Sequence, residues 1–128
     1  MNKAQKVAAV LAFIIGAMAI FSGGQVVLLG KEQNYYVISW LPYYNFTMGL
    51  ISAFVTAVLL WKDSPYGKTL ALLTFAAHVS VLTILLLFYR DVVASESIRA
   101  MTLRITTWTI ILALLYLPNR GPAARRPS

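Results

Sequence analysis

The chain contains no cysteine, and this absence removes whole classes of chemistry. Disulfide bonds, thiolate nucleophiles and cysteine-ligated metal sites are excluded, whichever compartment the protein occupies. Acidic residues are scarce too, since Asp and Glu together number 4, and there is 1 histidine. No two acids have the spacing of a catalytic pair, and no zinc-protease, serine-hydrolase or phosphate-loop motif occurs. The sequence therefore favours a non-enzymatic protein without a metal site.

Charge of either sign is also scarce, with 12% charged residues against 59% hydrophobic ones. A soluble domain carries about 25% charged residues, so this chain has too little charge to cover a surface that faces water. Apolar runs of about 20 residues separate the charged clusters, and this length crosses a bilayer as a helix. A barrel would need alternating polar and apolar residues, which these runs lack. The sequence predicts an all-α, integral membrane four-helix bundle.

Four runs are predicted to span the membrane and to form one transmembrane domain over residues 1–118. They cover about residues 7–29, 43–61, 69–89 and 98–117. The first run resembles a signal peptide, because a basic leader precedes it and residues 17–19 resemble a cleavage site. Apolar residues resume at Val26, so we interpret the run as a span. Residues 119–128, rich in Pro and Arg, are predicted to be a flexible basic cytoplasmic tail.

The distribution of Lys and Arg predicts the orientation of the bundle. Seven of these residues lie on the side of the two termini: Lys3, Lys6, Lys62, Lys68, Arg120, Arg125 and Arg126. Four lie on the opposite side: Lys31, Arg90, Arg99 and Arg104. We therefore expect both termini in the cytoplasm, in a bacterial inner membrane. Because the net charge of +7 is scattered over the ends of the runs, we expect no nucleic-acid partner.

Three of the runs sort into faces at about 100° per residue. Small residues form a stripe on the first run, which favours close helix packing in lipid: Ala9, Ala12, Gly16, Ala19 and Gly23. The second run has a polar face that is predicted to point into the bundle: Asn45, Gly49, Ser52 and Thr56. In the third run, the single histidine, His78, shares a face with five residues: Thr74, Phe75, Leu82, Leu85 and Tyr89.

The fourth run has an apolar stripe that we predict to face lipid: Met101, Ile105, Trp108, Leu112 and Leu115. The face away from it is polar and is predicted to point into the bundle: Arg99, Thr102, Thr106 and Thr109. Arg104 lies beside the lipid stripe. Its side chain is expected either to extend outward to the lipid headgroups or to turn inward and pair inside the bundle.

A binding site is predicted where the fourth run begins. Glu96 precedes Arg99 by three residues and Arg104 by eight, so the three side chains can meet on adjoining turns. Two guanidinium groups and one carboxylate leave a spare positive charge, which attracts a lipid phosphate, a carboxylate or a quinone-like oxygen unless Asp91 neutralises it. Tyr43, Asn45 and Tyr89 are predicted to border this cluster.

The predicted function is therefore non-catalytic. In this interpretation the protein binds a membrane lipid headgroup or a small anion in its outer half, or it is an accessory subunit of a larger membrane complex. A thin bundle has little interior, which favours a homo-oligomer. The alternative is an oligomeric transporter or channel for a small solute or ion, whose path would be lined by Asn45, Ser52, Thr56 and His78.

His78 supports three interpretations. A buried imidazole needs a hydrogen-bond partner, and Asn45, Ser52 or a threonine of the fourth run is the expected one. Alternatively, His78 is an axial ligand of a haem or pigment, either as the single ligand or together with a second subunit, or it belongs to a proton relay. Apart from this alternative of a haem or pigment, no cofactor is predicted.

The segment between the first two runs is rich in aromatic residues: Tyr35, Tyr36, Trp40, Tyr43 and Tyr44. Aromatic rings concentrate where a membrane protein meets the headgroups, so we predict an anchoring belt. The alternative is a lid that folds over the bundle.

The order of residues in the fourth run resembles that of uncharacterised bacterial four-span membrane proteins. The matching order is Glu96-Ser97, then Arg-Ala-Met at residues 99–101, then Arg104 and Trp108. This resemblance covers about a fifth of the chain and implies no activity. Two other families fit less well. Small multidrug transporters have a glutamate in their first helix, where this chain has only Gln25, and dual-topology fluoride channels have an arginine that "FSGGQVV" lacks.

Overall fold

The structure is a computed structural model that describes residues 3–30 and 38–125, with side chains as far as 117. The described residues form four helices and no strand. Helix α1 is Lys3–Val27, α2 is Leu41–Trp61, α3 is Pro65–Phe88 and α4 is Ser95–Arg125. Each is long and apolar enough to cross a membrane, α4 over Ser95–Leu117. The all-α four-helix bundle is confirmed, and these four spans indicate an integral membrane protein.

Local sequence explains where the helices begin and end. Each begins two to four residues before the predicted span, because polar and proline residues belong to the first turns. The Ser64 hydroxyl accepts a hydrogen bond from the backbone N–H of Tyr66 at 3.2 Å, and Pro65 follows it, which is a favourable start for α3. After α1, Gly30 adopts φ 65° and its N–H donates to the Val26 carbonyl, which terminates the helix.

Helix α4 continues beyond the predicted span and ends at Arg125. The backbone of residues 119–125 is helical, and the flexible basic tail over residues 119–128 stays a prediction.

Helices α1 and α2 are in backbone contact. A Cβ atom added to Gly16 would lie 2.7 Å from the Ala53 nitrogen, and one added to Gly49 would lie 2.7 Å from the Gly16 carbonyl oxygen. All five residues of the predicted small stripe are buried: Ala9, Ala12, Gly16, Ala19 and Gly23. The stripe is confirmed as the surface where α2 crosses α1, since lipid-embedded helices gain most from close packing.

Helix α2 is not a regular α-helix, because residues Ile51–Thr56 form a π-helical segment. Such segments are uncommon and often accompany functional sites. The predicted inward face of α2 is confirmed, since Gly49, Ser52 and Thr56 are buried and Asn45 is half-buried.

The interior has two apolar clusters. The terminus-side cluster lies near the ends of the bundle that hold the chain termini and consists of Ala8, Ala9, Ala12, Ile15, Ala57, Leu60, Ala71, Trp108, Ile111 and Leu115. The far-side cluster lies toward the α1–α2 and α3–α4 connections and consists of Ile38, Leu41, Val81, Leu85 and Met101. Along three helices, a polar residue lies between members of the two clusters: Asn45, His78 and Arg104. The bundle therefore has a polar layer between two apolar ones.

Candidate functional site

Arg104 points into the bundle. Its side chain is 6% exposed. One guanidinium nitrogen donates to the Asn45 side-chain oxygen at 2.6 Å, and the other donates to the Ser22 hydroxyl at 3.4 Å. Of the two predicted orientations, the inward one is therefore correct and extension to the headgroups is wrong. Helices α1, α2 and α4 each contribute one of these three residues.

The predicted lipid-facing stripe of α4 is wrong. Met101 is 1% exposed, Trp108 0% and Leu115 2%, so this stripe packs into the bundle. Arg104 lies on the same face of the helix as these residues, at positions that repeat every three or four residues. The predicted inward polar face is wrong for the same reason, since its members are exposed: Arg99, Thr102, Thr106 and Thr109.

Hydrogen bonding explains this rotation of α4. The Thr107 and Thr109 hydroxyls donate to the carbonyls of Leu103 and Ile105, at 2.9 Å and 2.8 Å. Threonine in a membrane helix can therefore satisfy itself and needs no interior partner. A guanidinium has no such local solution, and an unsatisfied arginine in a bilayer costs about 2.5–3.5 kcal/mol or more. The cost of exposing Arg104 to lipid therefore decides which face of α4 turns inward, and the threonine hydroxyls do not.

A pocket with a volume of about 130 Å³ lies beside Arg104. It has room for several water molecules or one small polar group. Half of its lining is polar: Ser22, Gln25, Asn45, Glu96, Ser97 and Arg104. The rest is Phe21, Val26, Leu41, Pro42, Ala100 and Met101. Phe21 is 70% exposed, so the pocket opens at the surface of the bundle. We call this space the Arg104 pocket.

Three of the six predicted binding residues line the Arg104 pocket, namely Asn45, Glu96 and Arg104. The other three do not. Arg99 is exposed, and Tyr43 is 60% exposed. The Tyr89 hydroxyl instead accepts a hydrogen bond from the Trp40 indole at 3.1 Å. The predicted cluster of two guanidinium groups with one carboxylate is therefore not formed, because Arg99 and Arg104 point to opposite sides of α4.

The two polar residues that α1 contributes to the pocket, Ser22 and Gln25, were not predicted. Both are polar side chains inside an apolar run, and this exception in the sequence could have identified them as candidate site residues. Each is one helical turn or less from the glycine pair at 23–24, where α2 approaches, so the segment is where α1 meets its neighbours.

His78 is 3% exposed and pairs with Tyr44. The Tyr44 hydroxyl and the imidazole Nδ1 are 2.7 Å apart, and the two rings meet edge to face at a centroid distance of 5.6 Å. The predicted partners, which were Asn45, Ser52 or a threonine of α4, are wrong, although Tyr44 adjoins Asn45. A cavity of about 10 Å³, the size of a single water, is lined by both His78 and Arg104.

The aromatic residues near the α1–α2 connection divide into different environments. Tyr35 and Tyr36 lie outside the described residues. Tyr43 is exposed, as an anchoring belt requires, but Tyr44 is half-buried against His78. Trp40 and Tyr89 stack edge to face at 6.0 Å and join the start of α2 to the end of α3. The belt prediction is therefore wrong for Tyr44, whose hydroxyl has a partner inside the bundle.

Among the described residues, the lining of the Arg104 pocket has one permanent cation, one carboxylate and several neutral hydrogen-bonding groups. Within residues 3–30 and 38–117, no group of three or more His, Asp or Glu side chains is placed to hold a metal ion. No known protein family, curated protein or solved structure matches the chain. The resemblance to bacterial four-span proteins stays a prediction, and the function must be argued from the pocket.

Proposed function

We propose that this protein is non-catalytic and binds a phosphate-bearing lipid headgroup, or a small anion of the same chemistry, in the Arg104 pocket. One observation carries the proposal. A nearly fully buried arginine, oriented by Asn45 and Ser22, lines a cavity of about 130 Å³ that opens at the bundle surface. A planar guanidinium with five N–H donors can bind two phosphate oxygens side by side.

The depth of the pocket supports a ligand from the membrane. Its lining includes the first turns of α2 and α4 and the last turns of α1, where the helices approach the headgroup region. Arg104 is the tenth residue of α4, about 14 Å from the helix start at 1.5 Å per residue. A phosphate at the base of a headgroup reaches such a depth more readily than a solute from water does. The same pocket would serve a single bundle, a homo-oligomer or an accessory subunit of a larger complex.

The polar layer also bears on the transport alternative. A path through one bundle would continue from Arg104 past His78, Ser52 and Thr56 toward the termini. There it meets the terminus-side cluster, in which Leu60, Ile111 and Leu115 are at most 2% exposed. A channel would therefore need a path between copies of the chain. The Arg104 pocket favours binding over conduction.

We propose that both termini lie in the cytoplasm of a bacterium, with the pocket in the outer half of the inner membrane. The excess of Lys and Arg on the terminus side supports this orientation. Because the chain has no cysteine, single introduced cysteines report their side without a background. In intact cells, Val92→Cys is expected to react with a membrane-impermeant maleimide, and Tyr66→Cys is expected to react only after lysis. Both positions are exposed, so the reverse pattern would invert the proposed orientation.

Arg104→Gln is expected to lower the occupancy of bound phospholipid about tenfold, because a charge-assisted hydrogen bond contributes about 1.5–3 kcal/mol. The measurement is native mass spectrometry of the protein purified in mild detergent, with occupancy counted per bundle. The phospholipid occupancy of Arg104→Lys should fall between those of the wild type and Arg104→Gln, since lysine retains the charge but loses the planar pair of donors.

Arg99→Gln is the matched control. It removes the same charge from the same helix, five residues away, at an exposed position outside the pocket. Its phospholipid occupancy should equal that of the wild type. Addition of inorganic phosphate distinguishes a lipid headgroup from a free anion as the ligand. Phosphate would displace the lipid from a site for a free anion, whereas a site for a lipid headgroup would keep it. Equal occupancy in wild type and Arg104→Gln would refute the binding role of Arg104.

A further inference from the structure

We infer that the Arg104 pocket selects a phosphoethanolamine group, a zwitterion with one phosphate and one primary ammonium, as carried by an aminophospholipid. The inference rests on the proposed function and names its ligand. It comes from the second charged residue in the lining, Glu96, which faces the same cavity as Arg104.

The two charges approach the cavity from different depths. Glu96 lies in the first turn of α4, and Arg104 follows eight residues later, about 12 Å deeper along the helix axis. Side chains on a helix lean toward its N-terminus, so the guanidinium extends toward Glu96. The phosphate of an ethanolamine headgroup adjoins the glycerol, and its ammonium lies farther out on a two-carbon link. That order matches a deep guanidinium and a shallow carboxylate.

Glu96 is available to a ligand. The only hydrogen bond to its carboxylate from the described residues comes from the Ser95 hydroxyl, at the long distance of 3.4 Å. A carboxylate is an acceptor only, and a primary ammonium supplies three donors. Gln25 and Ser97 line the same cavity and offer two further oxygen acceptors for it.

The two charges that the described residues place in the pocket, those of Arg104 and Glu96, disfavour the other common headgroups. A purely anionic headgroup would satisfy Arg104, but it would also place negative charge near the Glu96 carboxylate, and like charges repel each other. A choline headgroup is zwitterionic, but its quaternary nitrogen has no N–H to donate and prefers aromatic faces. Among the described residues, the aromatic lining of the pocket is the single ring of Phe21. A primary ammonium is the cation that fits.

An apolar groove next to the pocket favours a lipid over a soluble zwitterion. The groove has a volume of about 310 Å³ and shares Phe21 and Gln25 with the pocket. Its other lining residues are apolar: Ile20, Gly24, Leu28, Leu29 and Phe46. We assign it to an acyl chain of the same lipid, because the groove adjoins the pocket at Phe21 and Gln25.

The test is a competition among three phospholipids with identical acyl chains. The full chain in detergent is mixed with equal amounts of phosphatidylethanolamine, phosphatidylglycerol and phosphatidylcholine, and bound lipid is counted by native mass spectrometry. The wild type is expected to retain phosphatidylethanolamine about tenfold over the other two, the effect of one charge-assisted hydrogen bond. Glu96→Gln is expected to abolish this preference, with phosphatidylglycerol retained at least as well.

Asp91→Asn is the matched control, since it makes the same change of charge at an exposed position in the neighbouring connection, outside the pocket lining. It should keep the wild-type preference. Soluble phosphoethanolamine, added at the concentration of the lipid, should displace none of it. Displacement would overturn the assignment to a lipid.

Two failures are distinguishable. If the wild type shows no preference, or if Glu96→Gln keeps it, the inferred zwitterion is wrong, while loss of all three lipids in Arg104→Gln would still support the proposed function. If Arg104→Gln and Arg104→Lys both retain lipid like the wild type, the proposed function itself fails. Circular dichroism at equal protein concentration checks that each variant has the helix content of the wild type.

Discussion

Trp108→Ala is expected to lower the free energy of unfolding by about 3 kcal/mol, the low end of the range for deleting a large aromatic side chain from a packed interior. Trp108 is 0% exposed in the terminus-side cluster, together with Ile111 and Leu115. The low end applies because lipid is as apolar as the bundle interior, so the loss comes from the cavity and from missing dispersion contacts. Unfolding in detergent, followed by far-ultraviolet circular dichroism, measures it.

Two variants show whether burial is the cause. Trp108→Phe should cost less than about 1.5 kcal/mol, since it keeps an aromatic ring and loses an indole N–H that has no acceptor among the described residues. Trp61→Ala removes the same side chain where it is 48% exposed. It also removes the contact of the Lys6 ammonium with the Trp61 ring, at 4.1 Å, which contributes about 0.5–1 kcal/mol.

The opposite ranking would contradict the rotation of α4. If Trp61→Ala destabilises the protein more than Trp108→Ala does, Trp108 faces lipid, as the apolar stripe alone predicts. The experiment therefore separates two placements of one helix that differ by about half a turn, and the placement of Arg104 depends on the same rotation.

Helix length and periodicity were sufficient to predict much of the fold. Bilayer thickness fixes the length of an apolar run, so four spans could be located to within a few residues. The buried face of α1 followed from its small residues, because few other residues permit close approach in lipid. His78 and the polar face of α2 were correctly placed inside, since each is a polar exception in an apolar helix.

The predicted rotation of α4 is wrong because it follows the number of polar residues on each face and not the free-energy cost of exposing each of them to lipid. Three threonines and Arg99 define one face, and Arg104 lies on the other. Thr109 of that face and the neighbouring Thr107 donate to carbonyls four residues back, those of Ile105 and Leu103. Because an unsatisfied guanidinium in lipid costs more than a threonine hydroxyl, Arg104 turns inward, with Trp108 one turn below it.

The partners of the buried polar groups could not be predicted in the same way. Ser22 is 82 residues from Arg104, and Tyr44 is 34 residues from His78. Which side chains meet depends on the rotation and crossing of three helices, and a turn of about 100° exchanges Asn45 for Tyr44 as the partner of His78. The π-helical segment in α2 shifts that rotation further, and periodicity gives no sign of it.

Gly23→Ala is expected to destabilise the protein by about 1–3 kcal/mol, the cost of overpacking. A Cβ atom at Gly23 would lie 2.7 Å from both the Phe46 nitrogen and the Pro42 carbonyl oxygen. Both are backbone atoms, so α2 as a whole must move away from α1. The thermal midpoint in detergent measures the loss.

Gly24→Ala is the control next to it, since a Cβ atom there would first meet the Phe46 ring at 3.4 Å, an ordinary contact. Alanine is also favoured over glycine inside a helix by about 0.5–1 kcal/mol, so this variant should melt at or above the wild-type midpoint. Equal loss in both variants would contradict the backbone clash at Gly23 as the cause of the destabilisation.

The same pair of variants also tests how the pocket is held. Gly23 does not line it, but its neighbour Ser22 does, and Asn45 precedes Phe46 on α2. If α2 moves away from α1, Asn45 and Ser22 separate, and Arg104 can no longer be held by both. Gly23→Ala is therefore expected to lose bound phospholipid together with stability, while Gly24→Ala keeps both. Retention of phospholipid by a folded but destabilised Gly23→Ala would show that the pocket does not depend on the close approach of α1 and α2.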